Sequence, residues 1–140
     1  MAGETIITII GNLTGDPELR YLPSGVPVVN FTIASTPRVF NKPAEEWRDG
    51  DTLFMRCCAW RDLAENTANS LEKGTRVIAS GRLKQRSWGE DENKRTVFEL
   101  ECDEIGPSLR YASTQVRKAQ RDRTLQSVPD YTGGDGEPPF

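Results

Sequence analysis

The run Asp62-Leu63-Ala64-Glu65-Asn66-Thr67-Ala68-Asn69-Ser70-Leu71-Glu72-Lys73-Gly74 is a helical pattern in a chain otherwise written in β-alternation, and its position sets the topology. Leu63, Ala64, Thr67, Ala68 and Leu71 recur at the spacing that puts them on one helix face. Asp62 is a suitable N-cap with Glu65 three residues on, a capping box, and Gly74 supplies a C-terminal stop. Immediately before the helix, Thr52 to Trp60 reads as a strand. Leu53, Met55, Cys57 and Ala59 share its more apolar face, and Phe54, Arg56, Cys58 and Trp60 the other. Immediately after it, Thr75 to Trp88 reads as a long strand in which Gly81 suits a bend or bulge.

Towards the N-terminus, Thr5 to Ile10 is β-branched throughout and predicts a strand buried on much of both faces. Gly15-Asp16-Pro17 and Pro23-Ser24-Gly25 are turn signals, and Val26 to Thr36 alternates as a second strand. Residues 37–51 are polar and predict a long loop or mobile hairpin. Gly89 to Asn93 makes a turn into a last strand, Lys94 to Asp103. The order is β-β-β-α-β-β. An all-β chain with one helix between its third and fourth strands is the arrangement of the OB-fold, a five-stranded Greek-key barrel used for oligonucleotides and oligosaccharides. The helix is placed to plug one end of that barrel. Residues 1–110 form the expected domain. Beyond them the chain turns polar, then rich in Gly and Pro, which predicts a flexible linker over 111–134 and a disordered C-terminal tail.

Composition narrows the chemistry. The net charge of −3 is unevenly spread: residues 1–110 carry −3, residues 111–124 carry +3 and residues 125–140 carry −3. A mildly acidic chain of this kind can still bind nucleic acid where its cations are collected on one surface. There is no histidine, and Cys57, Cys58 and Cys102 lack zinc-ligand spacing, so neither a metal nor another cofactor is expected. Glu90-Asp91-Glu92 lies in a turn where three adjacent acids cannot all converge on one ion. An odd cysteine count without a signal peptide points to the reducing cytoplasm, and no apolar run approaches the ~20 residues that span a bilayer.

The binding chemistry concentrates on two strands. Arg82, Lys84, Arg86 and Trp88 share one strand face, three cations and a ring with no acid among them. Cations attract a phosphate backbone, and an exposed ring offers a surface on which any base stacks. The competing reading is a solvated strand face with a stray Trp. Phe54, Arg56 and Trp60 repeat the theme one strand earlier, against the alternative that both rings are barrel core. Phe40 and Trp47 lie in the 37–51 segment beside Arg38, Lys42 and Arg48, placed either to close over a ligand or to pack on their own domain.

At this point the chain resembles the bacterial single-stranded DNA-binding proteins of the tetrameric family. The resemblance is carried by Gly11-Asn12-Leu13, Asp16-Pro17-Glu18-Leu19-Arg20-Tyr21, Pro23-Ser24-Gly25, Phe31-Thr32-Ile33-Ala34, Leu71-x-Lys73-Gly74 and Gly81-Arg82-Leu83 leading to Trp88. Together these cover residues 4 to about 105 in the family's order and spacing. The resemblance implies that Phe40, Phe54, Trp60 and Trp88 are base-stacking positions, with Phe at 40 and 54 where the family often has Trp, and Trp at 60 where it often has Phe. It implies a non-enzymatic protein that coats single-stranded DNA in replication, recombination and repair, on the nucleoid. It also implies that residues 135–140 recruit replication and repair enzymes. Asp135 and Glu137 supply the charge of that tail, and Pro138, Pro139 and Phe140 its apolar end, although the acids are fewer and the linker shorter than is usual.

Two further expectations concern assembly and thiols. Ile6, Ile7, Ile9 and Ile10 put more apolar surface on the first strand than one barrel readily buries, which together with the resemblance predicts a homotetramer built as a pair of dimers. Adjacent Cys57 and Cys58 point to opposite faces. Cys102 alternates with Phe98 and Leu100 as an inward residue, so Cys57 and Cys102 are the pair placed to bridge, if their Cα atoms lie within about 7 Å. Three free thiols are expected in the cell, with some oxidised form as the alternative in a purified sample. Cys58, on the outer face, is the better candidate for a reactive thiol, although the plainer reading of an ordinary small residue is preferred.

Overall fold

In a computed structural model, residues 3–119 are described. The chain order is β1 (Ile6–Leu13), β2 (Glu18–Tyr21), β3 (Pro27–Ser35), β4 (Arg38–Asn41), β5 (Glu46–Asp49), β6 (Leu53–Trp60), α1 (Arg61–Ser70), β7 (Arg76–Trp88) and β8 (Arg95–Pro107), with a 3-10 turn at Asp91–Asn93. The five long strands are those expected. They close a barrel: the sheet runs β1-β7-β8-β6-β3, and β1 pairs with β3 to complete the circuit. All pairings are antiparallel except β6 with β8, where Cys57 lies opposite Leu100. Of the three short strands, β2 was not expected, while β4 and β5 form the hairpin that was one of the two readings of residues 37–51. β2 lengthens the wall beside β3, and β4–β5 is a separate two-stranded ribbon.

Closure depends on two glycines. At the β1–β3 seam a Cβ on Gly11 would overlap the Ala34 carbonyl. At Gly81 the register of β7 on β8 shifts, the bulge its sequence suggests, and a Cβ there would overlap the Glu101 carbonyl. Inside the barrel, Val29, Ile33, Cys57, Ala59, Val77, Ala79 and Leu100 are buried completely or almost so.

The helix buries the predicted stripe, Ala64, Thr67 and Leu71 fully with Leu63 and Ala68 at its margin, and contacts β3, β6, β2 and β8. Its ends differ from expectation. The chain passes straight from β6 into α1 through Arg61 at φ 59°, so Trp60 holds the N-cap position and Asp62 lies within the first turn, without a capping bond. There its charge still favours the positive helix end. Glu65, the other half of the expected box, accepts a hydrogen bond from the Tyr21 hydroxyl at 3.0 Å. Helical hydrogen bonding ends at Leu71, and Gly74, at φ 89°, serves the following turn, where its N–H reaches the Leu13 carbonyl.

Candidate nucleic-acid interface

The outer face of the wall is built by register. Thr32, Arg56 and Glu99 form one row across β3, β6 and β8, and Glu99 faces Lys84 of β7. Asn30, Cys58 and Glu101 form the next row, flanked by Glu18 and Arg82. Phe54 and Trp60 extend the same face along β6, being two residues on either side of Arg56 and Cys58.

All four rings named from the sequence are exposed: Phe40 44%, Phe54 63%, Trp60 40% and Trp88 53%. Barrel core is therefore excluded for Phe54 and Trp60. Trp88 sits opposite Arg95 near the tip of the β7–β8 hairpin, which runs beyond the barrel: past Arg82 and Glu99, β7 and β8 pair only with each other. Phe98, expected inward with Leu100 and Cys102, is 52% exposed for that reason, because the core it would enter has already ended. Phe40 pairs with Trp47 across the β4–β5 ribbon, ring centroids 5.4 Å apart and edge to face. Trp47 thus packs on its own ribbon while remaining exposed. Phe98 and Arg95 are candidate contacts that strand alternation alone does not reveal, since it says nothing of where the barrel stops.

The cations differ from the sequence picture. On their own strand Arg82, Lys84 and Arg86 have no acid, but β8 and the N-terminal segment bring several. Arg82 reaches Glu101 at 3.4 Å and Asp103 at 3.3 Å, with Glu4 at 4.0 Å. Lys84 reaches Glu4 at 3.3 Å. Arg86 donates to Glu99 at 2.6 Å, a bond that raises its pKa further. Lys84 and Arg86 are themselves open to solvent, which screens their pairs, so a phosphate can displace these acids, but not freely. Arg82 is the most firmly held, with its Nε buried and unpartnered. Arg56, by contrast, has no ion pair among the described residues and is exposed.

The cysteines match the expectation of three free thiols, but burial contradicts the reactive role offered for Cys58. Cys57, Cys58 and Cys102 are free and buried. The Cys57 thiol donates to the Met55 carbonyl at 3.5 Å, and the neighbouring Cys102 thiol, then burial, pushes its pKa up. Cys58 is on the outer side of β6 as expected, but it is covered. Burial, then the charges of Glu99 and Glu101, pushes its thiol up to about 11. The tail residues Asp135, Glu137, Pro138, Pro139 and Phe140, and most of the 111–134 segment, lie outside the described residues. Among the described residues no group of three His, Cys, Asp or Glu side chains is placed to hold a metal ion, and no helix is long and apolar enough to cross a membrane.

This closed barrel with an exposed aromatic face has close counterparts. The family model described as the single-strand binding protein family matches residues 5–108. A single-stranded DNA-binding protein of Paenarthrobacter nicotinovorans is 62% identical over 139 residues, 99% of this chain and 80% of its own length. Its namesake in Mycobacterium tuberculosis is 53% identical over the full length of both chains. The crystal structure of a small single-stranded DNA-binding protein from Streptomyces coelicolor superposes with a TM-score of 0.68 at 36% identity, covering 76% of this chain and 96% of that one. Its β-barrel and the match across nearly the whole folded region make this chain a member of the single-strand binding protein family.

Proposed function

We propose that this chain binds and protects single-stranded DNA with little regard to sequence, on the nucleoid in the cytoplasm, during replication, recombination and repair. It acts as a binding protein rather than an enzyme and uses no cofactor. The observation that carries the reading is the exposure of Phe54, Trp60 and Trp88 on β6 and β7, which also present Arg56, Lys84 and Arg86, with Phe40 exposed on the β4–β5 ribbon. Rings without base-edge donors stack on any base, and cations between them follow the backbone. Because the surface takes the strand and not the duplex, binding shifts hairpins towards their open form. Intrinsic Trp fluorescence titrated with a homopolymeric DNA strand is expected to quench to a saturating stoichiometry. Unchanged emission, with no complex by sedimentation, overturns the reading.

The functional unit is a homotetramer. Ile6 and Ile10 of β1 are 57% and 44% exposed, and Ile78, directly opposite Ile10 on β7, is 43% exposed. Ile9 is buried and Ile7 partly buried, so the apolar excess of β1 lies on its outer side, where a second copy would cover it. Sedimentation at micromolar concentration is expected to give four subunits; a single-subunit mass refutes this. Residues 1–110 hold the strand, 111–134 act as linker, and 135–140 recruit replication and repair enzymes through the acids and the terminal Phe140. Deleting residues 137–140 is expected to leave strand affinity intact and abolish recruitment.

A further inference from the structure

The cations of the outer face are answered mostly from β8, but one partner comes from the chain that leads into β1. The β1–β7 ladder begins at Ile6 opposite Arg82, and ahead of it the Leu83 N–H still reaches the Thr5 carbonyl at 2.9 Å. Glu4, two residues before Ile6, therefore shares a face of the sheet with Arg82 and Lys84. Its Oε2 receives both cations, Lys84 Nζ at 3.3 Å and Arg82 Nη1 at 4.0 Å. Its Oε1 is buried with no hydrogen-bond partner among the described residues, as is Arg82 Nε. The Glu4 side chain is only 21% exposed. A carboxylate so placed has lost hydration on one oxygen without recovering a bond, so a better-matched anion can replace it. The other acids on Arg82 are anchored differently. Glu101 and Asp103 hold its Nη2 from β8 and stay in place when Glu4 leaves.

We propose that Glu4 is an internal stand-in for one phosphate of the bound strand. It occupies Lys84 and the Nη1 of Arg82 in the free chain, and a phosphate takes its place on binding. This rests on the reading of the chain as a single-strand binder and deepens it. A phosphodiester brings the same single negative charge, with two oxygens that can turn towards two cations. Lys84 has no other acid partner among the described residues, so the departure of Glu4 leaves it to the backbone of the strand. Because Glu4 precedes the β1 ladder, its side chain is released without breaking a strand pair. An exchange of anions carries no base information, in keeping with stacking that tolerates every base. The consequence is a brake: affinity is lower than the cations alone would give, and salt, which screens the Glu4 contact, weakens the brake.

The test titrates the full-length chain with a dT oligomer across a salt series, read by Trp fluorescence. At low salt Glu4→Gln is expected to bind about two- to fivefold more tightly, the range for releasing one partly exposed ion pair, with the gain shrinking as salt rises. Glu4→Ala, which removes the carboxylate without placing a new donor beside the cations, is expected to act alike. Glu72→Gln removes the same charge from the exposed turn after α1 and should raise affinity clearly less. In a Lys84→Gln background the gain from Glu4→Gln should largely vanish, because the cation it frees is gone. Unaltered affinity in both Glu4 variants, with dT binding retained, overturns the inference alone. So does a gain that Glu72→Gln matches or that persists in full without Lys84, since net charge would then explain it. If the unaltered chain and every variant fail to bind dT, the inference falls together with the reading on which it rests.

Discussion

The barrel wall and the two ribbons that leave it are built from the same kinds of residue and put them to opposite use. On the wall, alternation sends Met55, Cys57 and Ala59 into a closed core while Arg56 and Trp60 stay outside on a backed sheet. On the β4–β5 ribbon and the far half of β7–β8, both faces meet solvent, so alternation no longer sorts inside from outside: Phe40, Trp47, Trp88 and Phe98 are all exposed. A ring on the wall is held by the barrel. One on a ribbon is held by a two-stranded sheet, which has little stability of its own. Wall rings should therefore be set for stacking before DNA arrives, and ribbon rings should gain order on binding.

The largest effect that separates the two regions is on folding. Leu100→Ala, in the centre of the wall, is expected to cost about 2–5 kcal/mol in urea denaturation. Phe98→Ala, two residues away on the ribbon, should stay within about 1 kcal/mol, as expected for a side chain outside the core. A comparable loss at both positions would mean that the core continues into the hairpin.

Strand affinity comes next. Trp60→Ala and Trp88→Ala are each expected to weaken DNA binding by roughly 1–3 kcal/mol without unfolding, read by fluorescence titration and thermal melting. If either variant binds normally, its ring makes no base contact. A ribbon ring that orders on binding also predicts a larger entropic penalty for Trp88 than for Trp60, measurable by calorimetry.

A smaller effect tests the cations. Arg56→Ala should flatten the salt dependence of binding by a slope of about 0.7 if its guanidinium neutralises one phosphate of the strand. Arg86→Ala should change it less, because Glu99 already occupies that guanidinium. Equal slopes would show that the Glu99 pair opens completely when DNA binds.

The smallest effect lies in the thiol hidden beneath that face. With its pKa pushed up to about 11, Cys58 is expected to resist alkylation in the native chain at about pH 8, and to label at the ordinary rate after unfolding. The sign follows for stability: the folded thiol holds its proton more tightly than the unfolded one, so its contribution is intact below about pH 9 and is lost as pH rises towards 11. Rapid native labelling of Cys58 under those conditions would contradict its burial.

Local pattern was enough to set the five long strands, the helix between the third and fourth, its buried stripe and the bulge at Gly81, because each rests on a short period or on one residue's backbone freedom. It was also enough to single out Phe54, Trp60 and Trp88 as candidate rings, since an aromatic among cations on a strand face is itself a local feature, whereas Phe40 needed the family resemblance. The short strand β2 was hidden, and the hairpin of β4 and β5 stood only as one of two readings: four residues beside turn signals are too few to show a period, and only a partner strand makes them strands. The N-cap falls at Trp60 rather than Asp62 because α1 starts directly from β6, a path that the closed barrel imposes. Which residues meet across strands was settled by folding alone. The parallel β6–β8 pairing sets Glu101 beside Cys58 and Glu99 beside Arg56, and the β7–β8 register supplies the carboxylates that hold Arg82 and Arg86. Glu99 and Arg56 are far apart along the chain, and so are Glu4 and Arg82, so these charges find one another only once the barrel has closed.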